Sequence, residues 1–235
     1  MIMSHKCRTS IPQLQGVGIG LRAPHLDEIL RHKPAISWLE IHPENFVLPP
    51  KHSFIFDGVG LSLVSVTLNK EHLNFLKGLV HEFQPVLFSE HIAWNQLEGV
   101  YYNDLFPMPY TDEALVHLSR HIRQVQEILE RPILVENSSQ YMSFPESTWR
   151  EVDFMQALVE ETGCRMLLDL NNVYVTCHNI GGDPFAYVEA FKDKPMVGEI
   201  HLAGHEPYAL DQKVLVDTHG APIALGVWDL YSHAL

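Results

Sequence analysis

Arg165-Met-Leu-Leu-Asp169-Leu-Asn171-Asn172-Val-Tyr174 is the stretch that decides the fold. Met166, Leu167 and Leu168 form a short apolar run without alternation, which suits a strand covered on both faces. A carboxylate and two amides follow at its C-terminal end. In a parallel α/β barrel that end is where catalytic groups sit. The same form recurs along the chain. Pro132-Ile-Leu-Val-Glu136-Asn137 is an apolar run ending in an acid and an amide, and Pro195-Met-Val-Gly-Glu-Ile-His201 and Pro85-Val-Leu-Phe-Ser-Glu-His91 both end in an imidazole. Four apolar strands that end in Glu, Asp or His point to one metal site at the mouth of one barrel.

Outward from these strands, helix-period segments alternate with further strands. Pro24 to His32 reads as a helix with Pro near its start and Leu26, Ile29 and Leu30 on one face. Asn69 to Phe83 reads as a helix burying Leu73, Leu76, Leu79 and Val80. Thr111 is an N-cap with acids in the turn that follows, opening a helix to Glu130 with Leu115, Leu118, Ile122, Val125 and Ile128 as its core face. Ser147 to Thr162 is a helix stopped by Gly163, and Asp183-Pro184 opens a short one through Phe191. Asp169-x-x-Asn172 reads as a strand turning into a loop, Val214 to Gly220 as a strand or hairpin arm, and Trp228 to Leu235 as the start of a helix. Ile92 to Tyr110 is a long aromatic-rich connection on the active face, either a packed lid or a functional loop.

Barrel-type strands fall near residues 17, 38, 56, 87, 133, 167 and 197, which makes seven. The eighth would lie beyond Leu235. Pro43, Pro49 and Pro50 leave no helical period between the second and third strands, so one outer helix is missing. The expectation is an α/β chain with a TIM (β/α) barrel as a single domain over 1–235, incomplete and truncated at its C-terminal end.

The 29 acidic residues against 16 Lys and Arg give a formal charge of −13, which argues against a nucleic-acid-binding surface. Cys7, Cys164 and Cys177 are odd in number and widely spaced, so they read as free thiols in a reducing cytoplasm. The N-terminus lacks a signal-peptide core and no run approaches a membrane span, which predicts a cytoplasmic protein without membrane contact. Gly16-Val-Gly-Ile-Gly-Leu21 has Leu21 where a dinucleotide fingerprint has its third glycine, and the acid about twenty residues on falls in another strand.

The candidate ligands are His91, Glu136, Asp169, Asn172, His201, Asp217 and His219. Mixed imidazole and carboxylate suits iron, manganese or zinc. Seven donors exceed one ion, and bridging carboxylates let such a set hold two or three. Asp217-x-His219 on an extended segment puts both side chains on one face. Gathered at one end of consecutive strands, these charges are costly without a cation.

The chain resembles the multinuclear non-heme iron-dependent oxidase family of the methanobactin-biosynthesis type, which are barrels like xylose isomerase and endonuclease IV. The resemblance rests on Gly16-Val-Gly-Ile-Gly-Leu-Arg22, Gly58-Val-Gly-Leu-Ser-Leu63, Ser89-Glu-His91-Ile-Ala-Trp94, Asn103-Asp-Leu-Phe-Pro-Met-Pro-Tyr110, Val135-Glu-Asn137, Leu168-Asp-Leu-Asn-Asn-Val-Tyr174, Glu199-Ile-His-Leu-Ala-Gly-His205 and Val216-Asp-Thr-His-Gly220. It implies two or three irons held by the seven candidate ligands, with Glu136 and Asp169 also the catalytic candidates and His205 behind them. It implies O₂-dependent modification of cysteine in a ribosomal precursor peptide, delivered by a peptide-recognition partner protein. The implied chemistry is thiolate binding to Fe(II), O₂ activation at a neighbouring iron and hydrogen abstraction beside sulfur. Asp57 stands where the family has His, as a shorter and negatively charged ligand. The family's closing strand carries a glutamate ligand that would lie beyond Leu235.

Two other readings keep the same scaffold. One is a zinc- or manganese-dependent hydrolase or isomerase of the endonuclease IV or xylose isomerase type. The other is a degenerate, non-catalytic barrel that binds a peptide. An open seventh strand exposes unpaired backbone and core side chains, which predicts either low stability or association into a homo-oligomer.

Overall fold

The computed structural model describes residues 15–43, 54–97 and 100–235. Its strands are β1 (Ile19–Gly20), β2 (Leu39–Ile41), β3 (Phe54–Gly58), β4 (Leu87–His91), β5 (Trp94–Leu97), β6 (Val100–Phe106), β7 (Leu134–Glu136), β8 (Arg165–Asp169), β9 (Val197–His201), β10 (Glu206–Pro207) and β11 (Leu215–Val216). Seven of them form one parallel sheet in the order β1-β2-β3-β4-β7-β8-β9. These are the seven strands expected from the sequence, in chain order, so the architecture is an incomplete TIM-type barrel. The remaining four pair as two antiparallel hairpins, β5 with β6 and β10 with β11.

Helices α1 (Leu26–His32), α2 (Lys70–Phe83), α3 (Asp112–Leu129), α4 (Glu151–Thr162), α5 (Leu170–Ile180), α6 (Pro184–Glu189) and α7 (Leu225–Ala234) follow their strands. Asn69 and Thr111 cap α2 and α3 with their side chains, and Gly163 ends α4 in the left-handed region at φ 70°. Three sequence expectations shift. The fourth helix starts at Glu151, not Ser147, because Arg150 is extended and Phe144 to Ser147 is tied into a turn. The segment after Asp169 is a helix and not a loop, because Asp169 Oδ1 accepts the backbone N–H of Asn172 and caps α5. The connection after His91 folds as the β5–β6 hairpin, in which Trp94 stacks on Phe106 at 4.7 Å. The proline-rich linker at 44–53, where a helix was expected to be missing, lies outside the described residues, as does Cys7.

Side-chain parity explains both core and site. On a strand, residues two apart share a face. Ile55, Leu87, Leu134 and Leu167 form a small buried cluster with Trp38 and Val86 packed on it, filling the barrel interior. Phe56, Phe88, Val135, Met166 and Leu168 have the opposite parity and belong to the large cluster beneath the helices. Two residues beyond the plug residues of their own strands, the same face carries Glu40, Asp57, Ser89, Glu136 and Asp169; on β9, His201 is level with Asp169 and Glu199 with Leu167. The barrel is thus apolar at its base and acidic above it. Gly18 belongs to this arrangement, since a Cβ there would enter the Trp38 ring.

Candidate metal centre

Five of the expected residues meet above the plug. His91 Nε2 lies 2.9 Å from Glu136 Oε2, and His201 Nδ1 lies 3.6 Å from Glu136 Oε1 and 3.9 Å from Asp169 Oδ2. Asp57, His91 and Glu136 form one group of donors within 4.8 Å of one another, and Glu136, Asp169 and His201 form a second. Glu136 is common to both, so the two groups are contiguous.

The surrounding hydrogen bonds orient these donors. His91 Nδ1 lies 3.2 Å from the carbonyl of Gly58 and donates to it, which turns Nε2 inward toward Glu136. His201 Nε2 lies 2.8 Å from Glu40 Oε1, which turns Nδ1 toward Glu136 and Asp169. Arg22 donates to His42 Nε2 at 3.0 Å, so His42 must donate from Nδ1 to the Asp57 carbonyl at 2.9 Å. Asp57 Oδ1 accepts from Ser89 Oγ at 2.7 Å. Asn137 clamps both backbone groups of Asp169, accepting from its N–H at 2.9 Å and donating to its carbonyl at 3.0 Å.

Charges are tightly coupled here. Burial works to raise the Glu136 carboxyl, but His91 and His201 overcome it and hold it well below the usual carboxylate range. Burial, reinforced by Glu136, pushes Asp169 up to about 8. Burial and the Glu40 carboxylate push Glu199 up to about 8. Burial disfavours charge on both imidazoles, yet Glu136 on His91, and Glu40 with Glu136 on His201, raise them well above the ordinary value.

Asn172 is buried, and its Nδ2 donates to the Asn137 carbonyl at 2.9 Å while its Oδ1 has no partner. Asp217 and His219 pair with each other at 3.1 Å on the segment after β11. Asn171 Nδ2 donates to Asp217 Oδ1 at 2.7 Å, and Asn171 Oδ1 lies 2.7 Å from His205 Nδ1. Asp217 and His219 therefore stand at the rim, joined to His205 through Asn171, and not inside the two donor groups. Glu40 and Glu199 were absent from the sequence-derived set. Their signal was parity: each sits two residues before an imidazole, in Glu40-Ile-His42 and Glu199-Ile-His201.

The donor set fits divalent cations. Asp169 Oδ2, Asn172 Oδ1 and both Glu199 oxygens are buried without hydrogen-bond partners, which is costly unless a cation takes them. All donors are carboxylate, amide oxygen or imidazole, the ligands of iron, manganese and zinc. The thiols of Cys164 and Cys177 are free, and burial raises them to about 12 and about 11, so they stay protonated.

Two chambers reach the cluster. A cleft of about 940 Å³ runs between β1 and β9 and is walled by Trp38, Glu40, Glu199, His201 and Trp228. A smaller chamber of about 410 Å³ lies beneath the β5–β6 hairpin, with His91, Asn172, Asp217, Tyr102 and Tyr141 in its wall.

A parallel barrel with overlapping carboxylate–imidazole groups at its C-terminal strand ends is an α/β barrel with a candidate metal site. Residues 16–235 match the family described as RiPP precursor modification enzyme MbnB/TglH/ChrH, and the chain belongs to that family. A UPF0276 protein of Vibrio vulnificus is 45% identical over 229 residues, covering 92% of this chain and 78% of its own. A UPF0276 protein of Acaryochloris marina is 44% identical over 234 residues, covering 94% and 83%. Among solved structures, an L-ribulose 3-epimerase aligns with a TM-score of 0.56 at 11% identity, covering 93% of this chain and 77% of that one. A D-psicose 3-epimerase aligns with a TM-score of 0.54 at 10% identity, covering 91% and 81%. The structural likeness is one of fold. Among the described residues, no helix is long and apolar enough to cross a membrane.

Proposed function

We propose that this chain is an iron-dependent oxidase that uses O₂ to modify a cysteine in a ribosomally made precursor peptide, presented by a peptide-recognition partner protein. The observation that carries the reading is the pair of donor groups sharing Glu136, in a chain of a peptide-modifying family. The shared carboxylate would let two cations be held side by side, which suits a reaction with separate sites for thiolate and O₂. Iron would supply thiolate affinity and one-electron chemistry with O₂.

Asp57, His91 and Glu136 would hold one ion, and Glu136, Asp169, Asn172 and His201 its neighbour. Asp217 and His219 stand at the rim for a third ion or for the substrate backbone. In the smaller chamber, Tyr141 Oη accepts from Ser139 Oγ at 3.2 Å and from the Asp217 N–H at 3.4 Å. Both lone pairs are then engaged, so the phenol proton is available to donate to a bound peptide. Burial raises this phenol, which keeps that proton in place.

The test is anaerobic loading with Fe(II), followed by O₂ uptake in the presence of cysteine-bearing peptides encoded beside the gene. Peptide-dependent O₂ consumption with a mass change confined to cysteine is the expected result. A loaded protein that consumes no O₂ with any such peptide, with or without its partner protein, overturns the reading.

A further inference from the structure

A third donor group, Glu40, Glu199 and His201, lies beside the two described above and shares His201 with one of them, while its two carboxylates were not among the candidate ligands. We propose that it is a separate divalent-cation site, floored by β2 and β9 and reached from the cleft between β1 and β9, with Mn²⁺, Fe²⁺ or Zn²⁺ as its ligand class. The inference is independent of the oxidase reading, because it concerns occupancy alone.

Three observations carry it. The donor atoms of Glu40, Glu199 and His201 all lie within 4.8 Å of one another. Two ligands on opposite sides of one ion are separated by at most about 4 to 5 Å at ordinary metal–oxygen and metal–nitrogen distances. Second, Glu199 is only 7% exposed and neither of its carboxylate oxygens has a hydrogen-bond partner. Such a group is stable when paired with a cation and expensive when left alone. Third, His201 lies between the groups. Its Nδ1 faces Glu136 and Asp169, while its Nε2 is 2.8 Å from Glu40 Oε1 and 3.9 Å from Glu199 Oε1. One imidazole therefore serves two groups through two different nitrogens.

The pattern differs from a simple supporting contact. A carboxylate that only orients a metal-bound imidazole needs one acceptor, and Glu40 alone supplies it. Glu199, at 3.9 Å, makes no hydrogen bond to that imidazole, yet it is buried on the same inward face with neither oxygen hydrogen-bonded. A cation on Glu40 and Glu199 accounts for both carboxylates. Its binding displaces the proton on His201 Nε2, and that proton leaves to solvent through the cleft.

The experiment titrates Mn²⁺ into the full metal-free chain and counts free Mn²⁺ by electron paramagnetic resonance, comparing wild type, Glu199→Gln and Glu136→Gln. Glu199→Gln is expected to lose one Mn²⁺ per chain, or to weaken one at least tenfold, while keeping the others. Glu136→Gln is expected to lose the neighbouring sites and retain this one. Equal number and affinity in wild type and Glu199→Gln overturns the proposal. So does loss of every site in Glu199→Gln with the chain folded by circular dichroism, because the site is then not separate. If Glu199→Gln does not fold, Glu199→Asp keeps the charge and withdraws it by one methylene, and the same tenfold weakening or its absence decides. Oxygen consumption is not read, so failure of the oxidase reading leaves this count intact.

Discussion

Glu151→Gln is expected to stabilise the protein at pH 8 and to leave it unchanged at pH 4. Glu151 opens α4 and accepts from Gln140 Nε2 at 3.1 Å, beside the buried Tyr110. Burial pushes its carboxyl up to about 7, against an ordinary value of 4.5, with hydrogen bonds from Tyr110, Tyr187 and Gln140 opposing. Among the described residues, no cation offsets the burial. The folded chain therefore holds this proton more tightly than the unfolded chain does. Stability from this group is complete below pH 4.5, falls as the unfolded carboxyl ionises, and is lost as pH rises through about 7. The full shift of 7 − 4.5 = 2.5 pH units corresponds to about 3 kcal/mol. Partial solvent contact and the favourable field of a helix N-terminus reduce this to about 2 kcal/mol. Glutamine keeps the acceptor for Gln140 and has no charge to bury. Urea midpoints across pH 4 to 8 are the assay. The difference between variant and wild type should grow from zero to about 2 kcal/mol, or roughly 4 to 8 °C in Tm for a chain of this size. A pH-independent difference, or a destabilised variant at pH 8, would refute the reasoning.

Three further outcomes follow from the site. Metal affinity should rise with pH between 6 and 8, because cations must displace protons from Asp169 and Glu199, both held near 8, and from the raised imidazoles of His91 and His201. Calorimetry in two buffers of different ionisation enthalpy should show protons released on binding, and identical heats would contradict this. Asn137→Ala should cost about 2–6 kcal/mol, because it leaves the buried N–H and carbonyl of Asp169 unsatisfied, at about 1–3 kcal/mol each. Thermal melts of the metal-free chain read that loss, and a Tm within 2 °C of wild type, about half a kcal/mol, would mean that the clamp is dispensable. Gly204→Ala should displace the rim, since a Cβ there enters the carbonyl of Ala221, and Gly204 O also accepts the N–H of His219 at 3.0 Å. Destabilisation by a few kcal/mol in urea is expected, and an unperturbed midpoint would show that the 204–221 loops part freely.

The sequence carried the barrel and half of the site, and the division has a physical cause. Strands such as Pro132 to Glu136 announce themselves because burial on both faces makes them continuous apolar runs, and their polar ends mark the mouth. Helices with a separate solvent face, α2 and α3, announce themselves by period and cap. The α5 helix did not, because Leu170, Asn171, Asn172 and Val173 are all buried, so no polar stripe betrays its period. The α4 start was misplaced because extended Arg150 supplies no side-chain cap. Glu40 and Glu199 were passed over for a related reason. A search for polar residues that end strands finds the last ligand on each strand and ignores the one below it. Inward parity, anchored on the plug of Ile55, Leu87, Leu134 and Leu167, selects Glu40, Asp57, Glu136 and Asp169 together, and reaches Glu199 by stepping back two residues from His201. The site is therefore better read as the inward face of the barrel than as a set of strand ends, because that face gathers five carboxyl groups around two imidazoles, two of them below the strand ends.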